Sequence, residues 1–545
     1  MQMNGYQPKD LHFDQEAREK LIKGINKVEK AVGSTLGPRG NTVLMESQNH
    51  THGMTVTKDG VTVAKSISLI DPVENLAVRV LRQASEETAN QAGDGTTTSM
   101  VLAKAIIEEF INSTTSEKSL NPNFLIRELR KQTAEVIKNL EKRAIKVTKG
   151  RLKNVATISA NNDYAIGKII ADAYKEVGHD GVVTVSKSDT TETHVEVTRG
   201  IRLDKGITSR VFANNEAKDE AILEDSPSSK IAILLSTTEI SNISHLENVI
   251  ADVIQKNKQL VIIGNTTTSI KTVIAQNVSR GTIKACIIEP PSFGYKQNEL
   301  MSDIAMMTGA TLFSDESGND ISIVLESDLG TAKSVTADSS SAVIVSKTAN
   351  EDEITERVNQ LREALKNEKL SGSREHIKKR IASLSGGIAV VYAGGDTQME
   401  QKELYDRIDD AIQAVRSSIE EGILPGGGAA LWHEALRILN SRLADDHTTL
   451  ESVHASQILM RAMTAPMKRI ADNAGADISG ISFSDDKMRL GYDAVAMEVV
   501  DMINAGIIDP AKVTKSALTN AVSAASTIMT TNAVVTLARS YEAAQ

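Results

Sequence analysis

The segment Gly93-Asp94-Gly95-Thr96-Thr97-Thr98 decides how this sequence reads. Gly93 and Gly95 free the backbone for a tight turn, and a helical pattern from Ser99 to Phe110 follows it directly. Backbone N–H groups at a helix start, joined by three threonine hydroxyls, offer donors to phosphate oxygens. Asp94 inside such a nest is suited to hold Mg2+. A glycine-rich turn alone is weak evidence, and in isolation Asp94 reads better as an ordinary helix N-cap. The remainder of the chain decides between the two.

At 545 residues the chain exceeds the ~250–300 at which one hydrophobic core stops growing, so several domains are expected. Lysine and arginine total 61 against 71 acidic residues, a net charge of −10, which argues against a general binder of nucleic acid or anionic membrane. Aromatic residues are 3% of the chain, with Trp432 the lone tryptophan, so base stacking is a poor mechanism here. The single cysteine, Cys286, excludes an intramolecular disulfide and a cysteine-rich zinc site; in TIKACIIEP it reads as a buried apolar residue. No uncharged apolar run approaches ~18 residues, and MQMNGYQPKD has no apolar core behind a positive region. The expectation is a cytoplasmic protein.

Gln15 to Val32 and Asn121 to Lys142 carry apolar residues at helical spacing, so the first quarter reads as mainly α. Between about 180 and 345 short β-type runs (GVVTV, KIAILL, QLVIIG, KACIIEP, SAVIVS) alternate with helical stretches, which predicts an α/β module. After Asn350 a charged stretch with Ile354, Val358, Leu361 and Leu365 at helical spacing predicts a pair of exposed helices, the charges forming a solvated face. Helices return after Met399, interrupted by Pro425-Gly426-Gly427-Gly428.

TLGPRGN at 35–41, TKDGVTVAK at 57–65, GDGTTT, TISAN at 157–161, LSGGIAVV at 384–391, EEGILPGGG at 420–428 and GIIDPAKVTKSAL at 506–518 follow one another in a set order. In this the chain resembles the group I chaperonins, the bacterial type, over nearly its whole length, as a divergent member. The resemblance implies a multidomain α/β fold with one domain inserted within another: a mainly helical equatorial ATPase domain (1–141 and 421–545), a small intermediate hinge domain (142–198 and 387–420) and an α/β apical domain (199–386). It implies ATP and Mg2+ as ligands, with K+ as a further candidate ion. Thr35, Leu36, Gly37 and Pro38 would line the nucleotide, Asp94 would bind the metal, and Gly95, Thr96, Thr97 and Thr98 would hold phosphate oxygens. Lys58 and Asp59 fall in the KDG turn, where the aspartate helps to position the γ-phosphate and the attacking water. Asp410 falls where the family carries its catalytic carboxylate, on the helix RIDDAIQAVRSSIEEG; Asp409, its neighbour, faces ~100° away. Gly427 would approach the nucleoside, Asp509 would accept from ribose hydroxyls, and Asp493 and Ala494 would lie beside adenine. At Asp493 the family commonly has asparagine, which donates as well as accepts. Glycines 200, 386, 387 and 422 match the family's hinges.

The implied partners are nonnative proteins and further copies of the chain, in a homo-oligomeric ring that is seven-membered by this resemblance, single or double. Helical spacing buries Leu246, Val249, Ile250, Val253 and Ile254 and leaves Glu247 and Ala251 outward. In the next helix it buries Ile270, Val273 and Ile274 and exposes Lys271. With Gln276 also outward, the client groove reads as unusually polar, with Ile207, Val211 and Phe212 as a smaller apolar patch, and dependence on a co-chaperonin lid reads as weakened. Gln398 and Lys205 replace an acid–arginine pair between subunits, whereas Lys468 and Asp477 keep the charge types found between rings. STTSEKSLNPN reads as a lengthened connection, and LARSYEAAQ lacks the family's terminal Gly-Gly-Met repeats. The alternative function is a ring scaffold for one dedicated partner, with ATP controlling assembly. A metabolic kinase is disfavoured because there is no GxxxxGK[ST] loop.

Overall fold

A computed structural model describes residues 9–46, 54–178, 181–188, 190–215, 219–347, 350–368, 370–441, 449–483 and 487–537. Chain contacts divide it into two compact units. The first joins both chain ends, 1–171 and 393–545, with the short piece 187–192; the second comprises 172–186 and 193–392.

In the N-terminal part, β1 (Lys9–Phe13) leads into α1 (Asp14–Gly33), which buries Leu21, Ile25, Val28 and Val32 at a spacing of three and four. A hairpin of β2 (Val43–Glu46) and β3 (Met54–Thr57) precedes α2 (Gly60–Ser66). Next comes α3 (Pro72–Ala92), started by proline and capped by the Asp71 carboxylate, which accepts from Val73 and Glu74 N–H. The helix α4 runs Thr96–Ser116, beginning three residues before the Ser99 that periodicity indicates. The threonines therefore form its first turn rather than a loop before it. Asn121 likewise caps α5 (Pro122–Arg143) from just before a proline, and α6 (Lys149–Ser159) and α7 (Tyr164–Val177) follow.

The second unit contains the β-type runs. Here lie β4 (Val182–Lys187), β5 (His194–Leu203), β6 (Ala221–Glu224), β7 (Ile231–Ile240), α8 (Glu247–Gln255), β8 (Gln259–Thr266), α9 (Thr268–Ser279) and β9 (Lys284–Ile288). The chain continues through α10 (Tyr295–Thr308), β10 (Leu312–Phe313), β11 (Ala332–Ala337), β12 (Ala342–Ser346), α11 (Glu351–Asn367), α12 (Ser371–Ser385) and β13 (Gly387–Ala393). A four-stranded parallel sheet has the order β10-β7-β8-β9, and its strands are near-continuous apolar runs because both faces are covered. A six-stranded sheet has the order β4-β13-β5-β12-β11-β6. Cys286 is wholly buried in β9, as its apolar context indicates, and burial pushes its thiol up to about 12.

Three expectations fail in this unit. Ile254 is 48% exposed and Val273 36%, while Lys271 is half-buried. The reason is geometric: α8 has nine residues and seats Val249 and Val253, an i,i+4 pair, so its buried face is narrower than the apolar stripe. Ile207 and Phe212 belong to the core rather than to a surface patch, and of the three only Val211 is exposed. The charged 351–385 hairpin is not wholly a solvated face either. Arg380, 2% exposed, makes a bidentate pair with buried Asp303 of α10 at 2.7 and 2.8 Å, and His376 meets Glu299 at 2.7 Å.

In the C-terminal part, α13 (Gln398–Glu421) leads to β14 (Ile423–Pro425), α14 (Ala429–Ser441), α15 (Leu450–Ala462) and α16 (Ala465–Asn473). A hairpin of β15 (Leu490–Asp493) and β16 (Glu498–Asp501), then β17 (Ile508–Pro510), α17 (Ala511–Met529) and β18 (Ala533–Leu537) complete the unit. The alanine-rich α17 packs along α3 and α4, where its small side chains permit close approach. The chain ends meet as β1 pairs with β18, Lys9 opposite Leu537. Of LARSYEAAQ, the residues beyond Leu537 lie outside the described ones.

Candidate functional site

Gly93 closes α3 at φ 76° and Gly95 caps α4 at φ 85°, both in the left-handed region. A Cβ on Gly93 would lie 2.2 Å from Cβ of Gln413, and one on Gly95 2.6 Å from Cγ1 of Val513, so conformation and space both demand glycine. No side chain caps α4 at Gly95. The first-turn N–H groups and the positive end of the dipole of a 21-residue helix thus face the turn without a capping oxygen.

Asp94 is not the helix cap that its position in the turn suggests. Its Oδ1 accepts from the adjacent Gly95 N–H at 2.5 Å, and its Oδ2 accepts from Ser159 Oγ, at the end of α6, at 2.8 Å. Burial, and then the nearby charge of Asp59, raise the Asp94 pKa. Asp59 itself caps α2: Oδ1 accepts from Val61 N–H at 3.1 Å, and Oδ2 from Thr62 N–H at 2.9 Å and Thr62 Oγ at 2.6 Å. Lys58, half-buried, precedes it. The KDG turn presses on the threonines, since a Cβ on Gly60 would stand 2.0 Å from Thr97 Oγ1.

The 35–38 loop leaves α1 with Thr35 buried and its Oγ1 donating to Val32 O at 2.8 Å. Gly37, at φ 87°, opens a turn through Pro38 that closes from Gly40 N–H to Gly37 O at 3.0 Å. Residues far along the chain hold it: Asn473 Nδ2 donates to the carbonyls of Gly33 and Leu36, both at 2.9 Å, and Arg39 reaches Val495 O at 3.0 Å. That last bond sets the loop beside the β15–β16 turn, where Ala494 is buried against Tyr492 and Met502. Asp493 carries out a local task there, accepting from Val495 and Ala496 N–H at 2.8 and 3.1 Å. Asn at 493 would accept the same two bonds, so the turn explains the aspartate as well as an adenine contact does.

Asp509, on β17, is paired with Leu424 of β14, and its carboxylate accepts from the N–H groups of Gly427 and Gly428. Burial, then the charge of Asp94, push it up to about 7. On α13, Asp409 is buried and Asp410 half-buried; the Asp410 carbonyl stands 3.3 Å from Ser159 Oγ. Further along, Ser417 Oγ donates to Ala92 O at 3.0 Å, so α13 runs against the Gly93 turn.

The model of the TCP-1/cpn60 chaperonin family matches residues 28–539 of the chain. The chain belongs to the TCP-1/cpn60 chaperonin family. Its fold is shared with the chaperonin gp146 from the bacteriophage EL 2 (Pseudomonas aeruginosa), solved in the presence of ATP-BeFx. One crystal form matches with a TM-score of 0.67 and 23% identity over 96% of this chain and 98% of the other. A second form gives 0.62 and 23% over 97% and 99%. The chaperonin fold expected from the motifs is thus shown.

In this chaperonin Asp94 is close enough to Asp59 to feel its charge, and Asp509 close enough to feel that of Asp94. Mg2+ fits that donor set. Among the described residues no three His, Cys, Asp or Glu side chains converge as a self-sufficient metal cage, and Mg2+ takes one or two carboxylates with substrate phosphates rather than such a cage. Two contributors escaped the motif reading. Ser159 lay inside TISAN without a role, and Asn473 lay outside every motif; what marks them is hydrogen bonds between residues 65 and 437 positions apart. Lys205 pairs within the chain with Glu289 at 3.3 Å, and Lys468 lies 5.8 Å from the Trp432 ring centroid. Among the described residues no helix is long and apolar enough to cross a membrane.

Proposed function

We propose that the chain is a group I chaperonin subunit that hydrolyses ATP and uses the cycle to bind and release nonnative proteins in a homo-oligomeric ring. One observation carries this reading: an uncapped helix N-terminus follows Asp94, which interacts through its charge with Asp59 and with Asp509, and the helix of Asp410 runs against the Gly93 turn. The presence of ATP-BeFx with the phage chaperonin supports a nucleotide there. In this reading the first-turn N–H groups of α4 and the hydroxyls of Thr96, Thr97 and Thr98 bind phosphate oxygens. Thr35 to Pro38, Gly427 and Ala494 line the nucleoside, and Asp509 accepts from the ribose. Asp94 holds Mg2+, whose charge offsets that of the triphosphate. Asp410, assisted by Asp59, orients and deprotonates the attacking water.

The equatorial, intermediate and apical divisions are proposed with the boundaries given above, in a cytoplasmic protein. Client capture is favoured over a dedicated scaffold because Ile254 and Val273 stand exposed on α8 and α9, with Val211 exposed in the turn packed on α9. Ring closure is supported by two two-stranded sheets, β1–β18 and β2–β3, with Leu11, Phe13, Val535, Leu537, Leu44 and Val56 exposed. The test measures phosphate release from ATP with Mg2+, with and without K+, beside refolding of a chemically denatured enzyme with and without a lid protein. Turnover with recovery of the enzyme is expected. Absence of turnover overturns the reading, and turnover without any refolding favours the scaffold.

A further inference from the structure

Glu29, near the end of α1, is buried and joins three helices. Its Oε1 accepts from Arg469 Nη2 of α16 at 2.6 Å, and its Oε2 meets Lys104 Nζ of α4 at 3.1 Å. Arg469 Nη2 also reaches the Glu29 carbonyl oxygen at 3.4 Å. The pair crosses Gly33, where a Cβ would lie 2.4 Å from Glu29 Oε1 and 2.6 Å from Arg469 Nε. One helical turn beyond Arg469, Asn473 donates to the Gly33 and Leu36 carbonyls. Ile470 closes on Gly37, where a Cβ would lie 3.0 Å from its Cγ2. Hence α16 lies along the end of α1 and the 35–38 loop, with Glu29 as its charged anchor. The third partner, Lys104, stands about 12 Å along α4 from Thr96, the first residue of that helix.

Apolar contacts already hold these helices, since Val28 and Val32 of α1 pack with Met100 of α4. Such contacts have no preferred direction, so they resist separation more than sliding. A buried carboxylate with two cations has the opposite character: desolvation offsets much of its attraction, while its hydrogen bonds are satisfied in one register. Arg469 Nε is buried without an acceptor among the described residues, so the triad is not arranged for the greatest stability. We propose that Glu29 is a positioning residue that fixes the register of α1 and α16 against α4, and with it the span from the 35–38 loop to the Thr96–Thr98 turn. A nucleoside and its phosphates must fit that span together, whereas a bare phosphate chain meets only one end of it. The triad therefore sets the preference for a nucleotide over a phosphate chain alone. The inference rests on the nucleotide roles proposed above for those two segments.

The test uses two variants. Glu29→Gln keeps the shape of the side chain, and Glu29→Met/Lys104→Met/Arg469→Met replaces the triad by apolar chains that leave no charge buried alone. In the first arm, without nucleotide, amide exchange is followed at Thr35, Leu36, Gly40 and Asn41, whose N–H groups bond within this stretch, and is divided by exchange in the buried middle of α17. A global loss of stability speeds α17 and cannot raise this ratio. Both variants should raise it by about 3–10-fold; a ratio at or below that of wild type overturns the inference. In the second arm, calorimetry measures binding of ATP and of inorganic triphosphate, each with Mg2+. ATP should weaken about tenfold in the triple variant, and triphosphate by less than about twofold. Equal weakening of the two overturns the inference, as does unchanged affinity for ATP. If wild type binds neither, the nucleotide reading falls, and the exchange arm still decides whether Glu29 sets the loop.

Discussion

Asp509 joins two pressures that act in the same direction, burial and the charge of Asp94, and together they bring its pKa to about 7. Between about pH 4 and pH 7 the folded chain holds this proton more tightly than the unfolded chain, so stability falls as pH rises through that window and levels above it. Asp509→Asn should escape the decline. The melting temperature of the variant minus that of wild type should grow from pH 4 to pH 7 and then plateau in a fluorimetric scan, while ATP affinity weakens. At Asp410 the expectation separates binding from chemistry. Asp410→Ala should lose about 10²–10⁴-fold in phosphate release yet still bind ATP, with the quenching or enhancement of the lone Trp432 as the binding signal. Motif order located both aspartates along the chain. It was silent on the contacts that join the site's segments, because the hydrogen bonds of Ser159 and Asn473 link stretches that only the folded chain brings together.

Among the elements, the start of α4 is held both by its backbone conformation and by close packing. Gly95→Ala combines a left-handed φ with a 2.6 Å approach to Val513, and should cost about 1–3 kcal/mol in urea unfolding as well as disturbing the phosphate nest. The α11–α12 hairpin makes a contrasting case. Arg380→Ala would leave Asp303 buried without its bidentate partner and should destabilise the second unit by about 3–5 kcal/mol. Exchanging both for Met and Leu should recover most of the loss, which the same unfolding experiment reads. Sequence periodicity placed this hairpin correctly and misjudged its inner charges. A run of Glu, Lys and Arg looks solvated from inside its own window, and the acid that holds Arg380 lies 77 positions upstream. The exposed positions of Ile254 and Val273 have a similar origin, since helical spacing fixes which residues share a side but not how wide a side the neighbouring sheet covers. Ile254→Glu with Val273→Glu should abolish capture of a denatured client, measured by light scattering, and leave ATP turnover within about twofold, because neither residue belongs to the unit that carries the Gly93–Thr98 turn.

At the scale of the molecule, both chain ends build one unit, and strands β1 and β18 fasten those ends together. The same strands, with the β2–β3 hairpin, leave apolar side chains in water. Leu44→Asp, on the exposed face of that hairpin, should shift the assembly towards single subunits in light-scattering chromatography while the unfolding transition of each subunit stays in place. The compactness of the central unit follows from apolar strands such as IAILL and LVII, which bury every residue. That burial has a practical reach. With its one thiol sealed in β9 and held protonated at neutral pH, the folded chain is blank to maleimide chemistry. Phe293→Cys, at a site 85% exposed, would then give each chain a single dye, and energy transfer between dyed chains, with and without ATP, would be read without any background to subtract.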